Sequence, residues 1–198
     1  SRHIHRKANS GFLWNMINAV ENPETGLSAQ EMVAVVDEND NVIDRVTRAQ
    51  MRREKLRHRA TYIFVKNSQG QYYCQKRTMI KDYCPGYFEA CSGGCVQADE
   101  TYEENAPREL EEEMGIKGIP LAFLRTFLYE DETVKVYGGI FTGEYDGDVT
   151  PQEEEVESVR MLTADEIRAG RANDGLEFKV TPDSLVALEL VEEAAALV

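Results

Sequence analysis

The sequence predicts one layered α/β domain, and three observations carry that expectation. Short runs of β-branched and aromatic residues, such as Thr61–Val65 and Val156–Leu162, recur between turn signals and read as strands. Three segments open on a threonine with Gln or Glu three residues later, Thr47/Gln50, Thr101/Glu104 and Thr163/Glu166, which is the signature of a capped helix start. No internal repeat is visible, and 198 residues suit one domain with a full core better than two small ones. Strands interleaved with helices in this way imply a mixed sheet covered by helices.

Residues 1–28 read as an extension ahead of a domain spanning 29–198. Arg2, Arg6 and Lys7 stand there without an acid before the apolar stretch Gly11–Val20. Asn15 and Asn18 interrupt that stretch, so an accessory helix is the expectation and an organelle-targeting segment the alternative. After Asn22–Gly26, Glu31–Val36 and Val42–Val46 form a hairpin across Asp37–Asn41, and a short helix runs from Thr47 to Leu56. Arg52–Arg59 holds five bases and one acid, either a solvated face or a counter-charge for substrate phosphates. Thr61–Val65 pairs with Gln71–Arg77 across the Asn67–Gly70 turn. Lys81–Gly86 is loop, and Tyr87–Cys91 is a strand leading to Gly93 and Gly94. Leu121–Tyr129 and Val134–Phe141 form a hairpin across Glu130–Glu132, and Val156–Leu162 is the last strand. Thr163 opens a helix, and Thr181-Pro182 opens the C-terminal one, with proline at the first position where its missing N–H costs nothing. Leu185, Leu188 and Val191 or Glu192 give that helix its packing period.

The net charge of −14 is concentrated: Asp99–Glu113 holds eight acids and one base, and Glu153–Glu157 adds four acids. Such a balance repels nucleic-acid phosphates, so no nucleic-acid partner is expected, whereas a polyphosphate held through a divalent cation is compatible. No run of about 18 apolar residues exists, so no membrane partner is expected. The four cysteines form no C-x-x-C pair and have no histidine at zinc-finger spacing. Reduced, buried thiols and a cytoplasmic location are the expectation.

The chemistry concentrates in residues 94–116. With Thr101 as cap, Glu109, Glu112 and Glu113 fall at i, i+3 and i+4 on one helix face. Three carboxylates so close repel one another, and a hard cation such as Mg²⁺ or Mn²⁺ with oxygen ligands stabilises them. Arg108 is within one turn of both Glu104 and Glu112. Gly115 ends the helix, and Gly93 with Gly94 permits a tight loop. Pro107 lies inside this helix, where a lost hydrogen bond costs about 3 kcal/mol, so a kink or a restart near Arg108 is expected.

The pattern of Gly94, Glu100 and Arg108-Glu109-Leu110-Glu111-Glu112-Glu113-Met114-Gly115-Ile116 resembles the Nudix box at every specified position. That resemblance implies an α/β/α sandwich with a mixed sheet, here with an added N-terminal hairpin and helix. It implies metal-dependent hydrolysis of a phosphoanhydride in a nucleoside diphosphate linked to another moiety, with Mg²⁺ or Mn²⁺ as cofactor and a small nucleotide-type substrate. Carried over from the family, Glu112, Glu113 and the Gly93 carbonyl look like metal ligands, and Glu109 like a further ligand or the general base. Gly94, Glu100, Arg108 and Gly115 look like structural support. A further acid usually comes from outside the box, and Glu155, just before a strand, is the choice. Arg59, Arg77 and Lys81, with Lys76, are candidate phosphate contacts. Outside the box, Leu56–Ala60, Gln75–Arg77, Lys81-Asp82 and Pro85-Gly86 resemble a branch that also contains isopentenyl-diphosphate isomerase. In that register the isomerase cysteine falls on Gly93 and a histidine on Cys95; only His58 matches, with Cys91 and Cys95 nearby. A non-catalytic binding module is a third alternative, but no box carboxylate is lost. The N-terminal hairpin and helix offer a surface for a homodimer.

Overall fold

An N-terminal hairpin, β1 (Met32–Val36) with β2 (Val42–Thr47), turns at Asp37, whose carboxylate accepts the N–H groups of Asn39 and Asn41 at 2.8 and 2.9 Å. In the computed structural model, which describes residues 28–197, the segment assigned to the accessory helix lies almost wholly outside the described residues. Thr47 ends β2 and caps α1 (Arg48–Glu54) by accepting the Gln50 N–H. This helix stops earlier than expected because Lys55 turns left-handed, with φ of 51°. A second hairpin follows, β3 (His58–Lys66) and β4 (Tyr72–Arg77), then β5 (Phe88–Glu89). β5 is shorter than the expected Tyr87–Cys91 because the chain leaves β4 and bridges instead to β3, Ile63 with Ser92 and Ala60 with Cys95.

The helix α2 (Tyr102–Met114) carries the full Thr101/Glu104 capping box and ends at Gly115 with φ of 69°. It runs unbroken through Pro107, so the restart near Arg108 does not occur. Pro107 and Glu103 are both exposed, which leaves the Glu103 carbonyl that lacks its donor able to bind water. The chain continues through β6 (Ala122–Glu130), β7 (Lys135–Glu144), β8 (Val156–Leu162), α3 (Ala164–Ala169) and α4 (Pro182–Ala195).

The eight strands form one mixed sheet: β3 runs parallel to β7 over nine pairs, while the other strand pairs are antiparallel. Helices cover both faces. On β3, Tyr62 and Phe64 enter the core beneath α4 with Ile140 and Leu188, whereas Ile63 and Val65 enter the core beneath α2 with Leu110 and Met114. A strand buried on both faces reads as a continuous apolar run, which Tyr62–Val65 does. A smaller core of Val33, Val35, Val46 and Met51 seats the N-terminal hairpin and α1.

The sheet forks, and that fork makes the site. β3 and β4 pair only at Lys66 and Tyr72 beside their turn, after which β4 follows β8 and β3 follows β7. The segment Cys91–Cys95 enters the gap. Among the described residues no helix is long and apolar enough to cross a membrane.

Candidate active site

The three box carboxylates occupy different depths. Glu113 is 2% exposed, and its Oε2 accepts hydrogen bonds from Gln75 Nε2 and the Gly93 N–H, each at 2.9 Å. Glu109 lies against Gly94 so closely that a Cβ there would stand 2.5 Å from its Oε2. Glu112 is exposed. Arg108 ties the outer pair together, reaching Glu109 at 2.9 Å and Glu112 at 2.8 Å, and also binds Glu100 at 2.6 Å. Of the two acids within one turn, Arg108 takes Glu112, because the Glu104 carboxylate accepts from the Thr101 N–H and hydroxyl. Glu100 also accepts from the Gln97 N–H and from Asn105, so it fixes the loop to the helix.

Glu155 lines the same cleft as Glu109 and Glu112, about forty residues away in sequence. Backbone bonds put it there: the Thr150 and Gln152 N–H groups donate to the Met114 and Glu113 carbonyls, and the Thr78 N–H donates to the Glu155 carbonyl. The Glu155 carboxylate pairs with Lys81, and Glu153 and Glu154 point to solvent. Arg77 is buried in the cleft wall and pairs with Glu89 at 2.7 Å. Arg59 does not reach the cleft, since its guanidinium binds Asp40 at 2.7 Å and lies 5.3 Å over the Tyr102 ring. Lys76 is directed to Glu157. Sequence reading missed Glu31 and Arg48, which line the cleft from the N-terminal elements, and Asp82, which draws Arg48 and Arg52 together at 3.5 and 3.2 Å. Arg48 carries a signal in the sequence, because it opens the helix capped by Thr47, although it lies ahead of the basic run Arg52–Arg59.

Burial lifts the Glu109 carboxyl to about 7, with Arg108 opposing and Glu112 adding to the shift. Burial also raises Glu113 well out of the carboxylate range, against the pull of Lys81. Glu155 moves the other way: its burial is outweighed by the Lys81 ammonium, which holds it below the ordinary value. Among the described residues no three acid, histidine or cysteine side chains converge on a common metal position. Arg108 and Lys81 instead occupy the carboxylates that face one another across the cleft. The donor chemistry still fits a hard divalent cation: two buried carboxylates are disfavoured as anions, and the missing side chain of Gly94 is what lets the Glu109 carboxylate lie against the loop.

The inner end of the cleft lies on the α4 side of the fork. Tyr62, Tyr83, Cys91 and Asp183 line it. Burial, and secondarily Glu89, raises the Cys91 thiol far above its usual value, so it stays protonated. Burial with Arg52 nearby pushes His58 down to about 3, so its ring is neutral and its Nδ1 lies 3.2 Å from the Leu56 carbonyl. All four cysteines are unpaired.

Comparison with known proteins agrees with this geometry. The NUDIX domain family model matches residues 56–183. The chain is 46% identical over 164 residues to the Nudix hydrolase YfcD of Salmonella typhi, covering 83% of this chain and 86% of that one. It is 35% identical over 167 residues to the Nudix hydrolase PA4841 of Pseudomonas aeruginosa, covering 84% and 96%. The crystal structure of DR0079 from Deinococcus radiodurans superposes with a TM-score of 0.67 at 24% identity, covering 80% of this chain and 98% of that one, a likeness of fold. With the α/β/α sandwich and with Glu109 and Glu112 on one cleft, these matches place the chain in the NUDIX domain family, as an enzyme of its pyrophosphohydrolase type.

Proposed function

We propose that the chain hydrolyses a phosphoanhydride bond in a nucleoside diphosphate linked to another moiety, with Mg²⁺ or Mn²⁺ bound. The observation that carries this reading is the meeting of Glu109 and Glu112 with Glu155 and the cations Lys81 and Arg77 in one cleft. Glu112, Glu113 and the Gly93 carbonyl would hold the cation, with Glu155 as a further acid from outside the box helix. Bound there, a divalent cation neutralises phosphate oxygens and acidifies water. Lys81 and Arg77 contact the diphosphate. Glu109 is the general base: its carboxylate takes the proton of the attacking water. Gly94, Glu100, Arg108 and Gly115 hold these groups in place.

The test is phosphate or nucleotide release from a panel of nucleotide sugars, dinucleotides, coenzymes and nucleoside triphosphates with Mg²⁺ and with Mn²⁺. ADP ribose belongs in it, being the ligand of the NUDIX domain of Shewanella oneidensis NrtR, a fold neighbour with a TM-score of 0.57 and 15% identity. Turnover of at least one compound, lost on chelation, is the expected result. An inert panel beside conversion of isopentenyl diphosphate would contradict it.

The isomerase reading gains little support from the cleft. Gly93 carries no thiol where that mechanism needs one, and Cys91 is held protonated. Cys91→Ala and Cys95→Ala, singly and together, are expected to keep most of the hydrolase activity. A loss beyond about a hundredfold, the size seen on removing a general acid or base, would restore the cysteine mechanism.

A further inference from the structure

Asp183 is a buried carboxylate that the proposed hydrolysis does not use. It is 6% exposed at the second position of α4, and it lines the inner end of the cleft. Its Oδ2 accepts the Tyr62 hydroxyl at 2.7 Å and its Oδ1 accepts the Tyr83 hydroxyl at 3.2 Å. An ionised carboxylate offers about four acceptor positions, so two tyrosines do not exhaust it. No lysine or arginine pairs with it among the described residues: nearby Arg77 is engaged by Glu89, and Lys81 by Glu155. A buried carboxylate without a cation is costly, and burial together with Glu89 raises its pKa.

The position is rigid. The chain ahead of α4 pairs with β5, the Phe88 N–H donating to the Lys179 carbonyl at 2.8 Å and the Thr181 N–H to the Phe88 carbonyl at 2.9 Å. The Ala90 N–H donates to Ser184 Oγ at 3.3 Å, and Ala90 leads directly to Cys91–Gly94. Asp183 is thus fixed to the same backbone that carries Gly93 and Gly94.

We propose that Asp183 determines specificity by accepting a hydrogen bond from a cationic nitrogen, so that the group beyond the diphosphate bears an ammonium. The inference rests on the hydrolase reading of the same cleft. Tyr62 and Tyr83 give the carboxylate only neutral hydroxyl donors. The ammonium supplies the positive charge that the protein omits, while a hydroxyl of equal size supplies only a neutral donor.

The experiment measures binding to the full chain with Mg²⁺ by titration calorimetry. The probes are methylene-bridged analogues of the 2-aminoethyl and 2-hydroxyethyl esters of ADP and of CDP, which cannot be cleaved at the bridge. The 2-aminoethyl analogue is expected to bind about tenfold more tightly than the 2-hydroxyethyl one with either base. Asp183→Asn is expected to bring the two within about threefold of each other by weakening the amine. Equal affinities in the wild-type protein overturn the inference, whether or not the variant folds. Equal weakening of both analogues by Asp183→Asn also overturns it, because an anchor for Tyr62 and Tyr83 alone would act that way. Since the probes are not turned over, failure of the hydrolase reading appears separately, as an inert substrate panel.

Discussion

Glu113→Gln is expected to lower kcat by about a thousandfold while leaving the metal-free protein at least as stable as the wild type. The loss corresponds to about 4 kcal/mol of transition-state stabilisation, within the several kcal/mol that a correctly held cation contributes. Retained stability follows from the burial of Glu113, whose charged form the fold disfavours. Gln keeps an acceptor for Gln75 and the Gly93 N–H without that charge. The sign is fixed by linkage: a carboxyl raised by folding favours the native state while protonated, and that contribution is lost as pH rises toward the raised value. For Glu109 the window runs from 4.5 to about 7, and Glu113 acts in the same direction. Metal-free wild type therefore loses stability across that range, and saturating Mg²⁺ flattens the slope by favouring the ionised carboxylates. Thermal unfolding at several pH values, with and without Mg²⁺, checks the pattern. A Gln variant active within tenfold of wild type, or one that unfolds where the wild type does not, would make Glu113 a structural residue. Glu155→Gln should fall between the two, slower and weaker in Mg²⁺ dependence. Full rate with unchanged Mg²⁺ dependence would remove Glu155 from the site.

Gly93→Ala is expected to cost about 3 kcal/mol of stability and at least a hundredfold in activity. The backbone at Gly93 has φ of 150°, and an added Cβ would stand 1.9 Å from the Thr61 carbonyl oxygen. The segment cannot retreat freely, because Ser92 exchanges two hydrogen bonds with Ile63 at 2.8 and 3.1 Å and the Thr61 N–H holds the Gly94 carbonyl at 3.0 Å. Relief of the clash breaks that ladder and moves the N–H that Gly93 gives to Glu113. Gly118→Ala is the control. It also has positive φ, 71°, but open space around it, so only the left-handed penalty of about 1–2 kcal/mol applies and activity is kept. If Gly93→Ala unfolds no more easily than Gly118→Ala, the close approach of this loop to β3 is not what builds the site.

What could be read in the sequence was whatever depends on local spacing. Thr101 and Glu104 define a helix start, and the offsets from Glu109 to Glu113 follow from the helical repeat, so the box was legible before any contact was known. The N-terminal hairpin and the α4 start at Pro182 were legible for the same reason. Glu155 could be chosen on chemical need and its place before a strand. Pro107 misled because its cost depends on which face of the helix it occupies, and the exposed face tolerates the lost bond. Glu31 and Asp183 were not legible, because only the divergence of β3 from β4 brings those two parts of the chain to one cleft. Arg59 stood in a promising basic run, but the alternation of β3 directs it to Asp40 on the hairpin.

Turnover of the best substrate in H₂¹⁸O with Mg²⁺, with the products read by mass spectrometry, reveals whether water attacks phosphorus at the cleft formed by the box and Glu155. One ¹⁸O atom per turnover is expected on a phosphoryl group of one of the two fragments, with about a thousandth as much labelled product from Glu113→Gln in equal time. Product formed without ¹⁸O on phosphorus, or label found only at carbon, would contradict it.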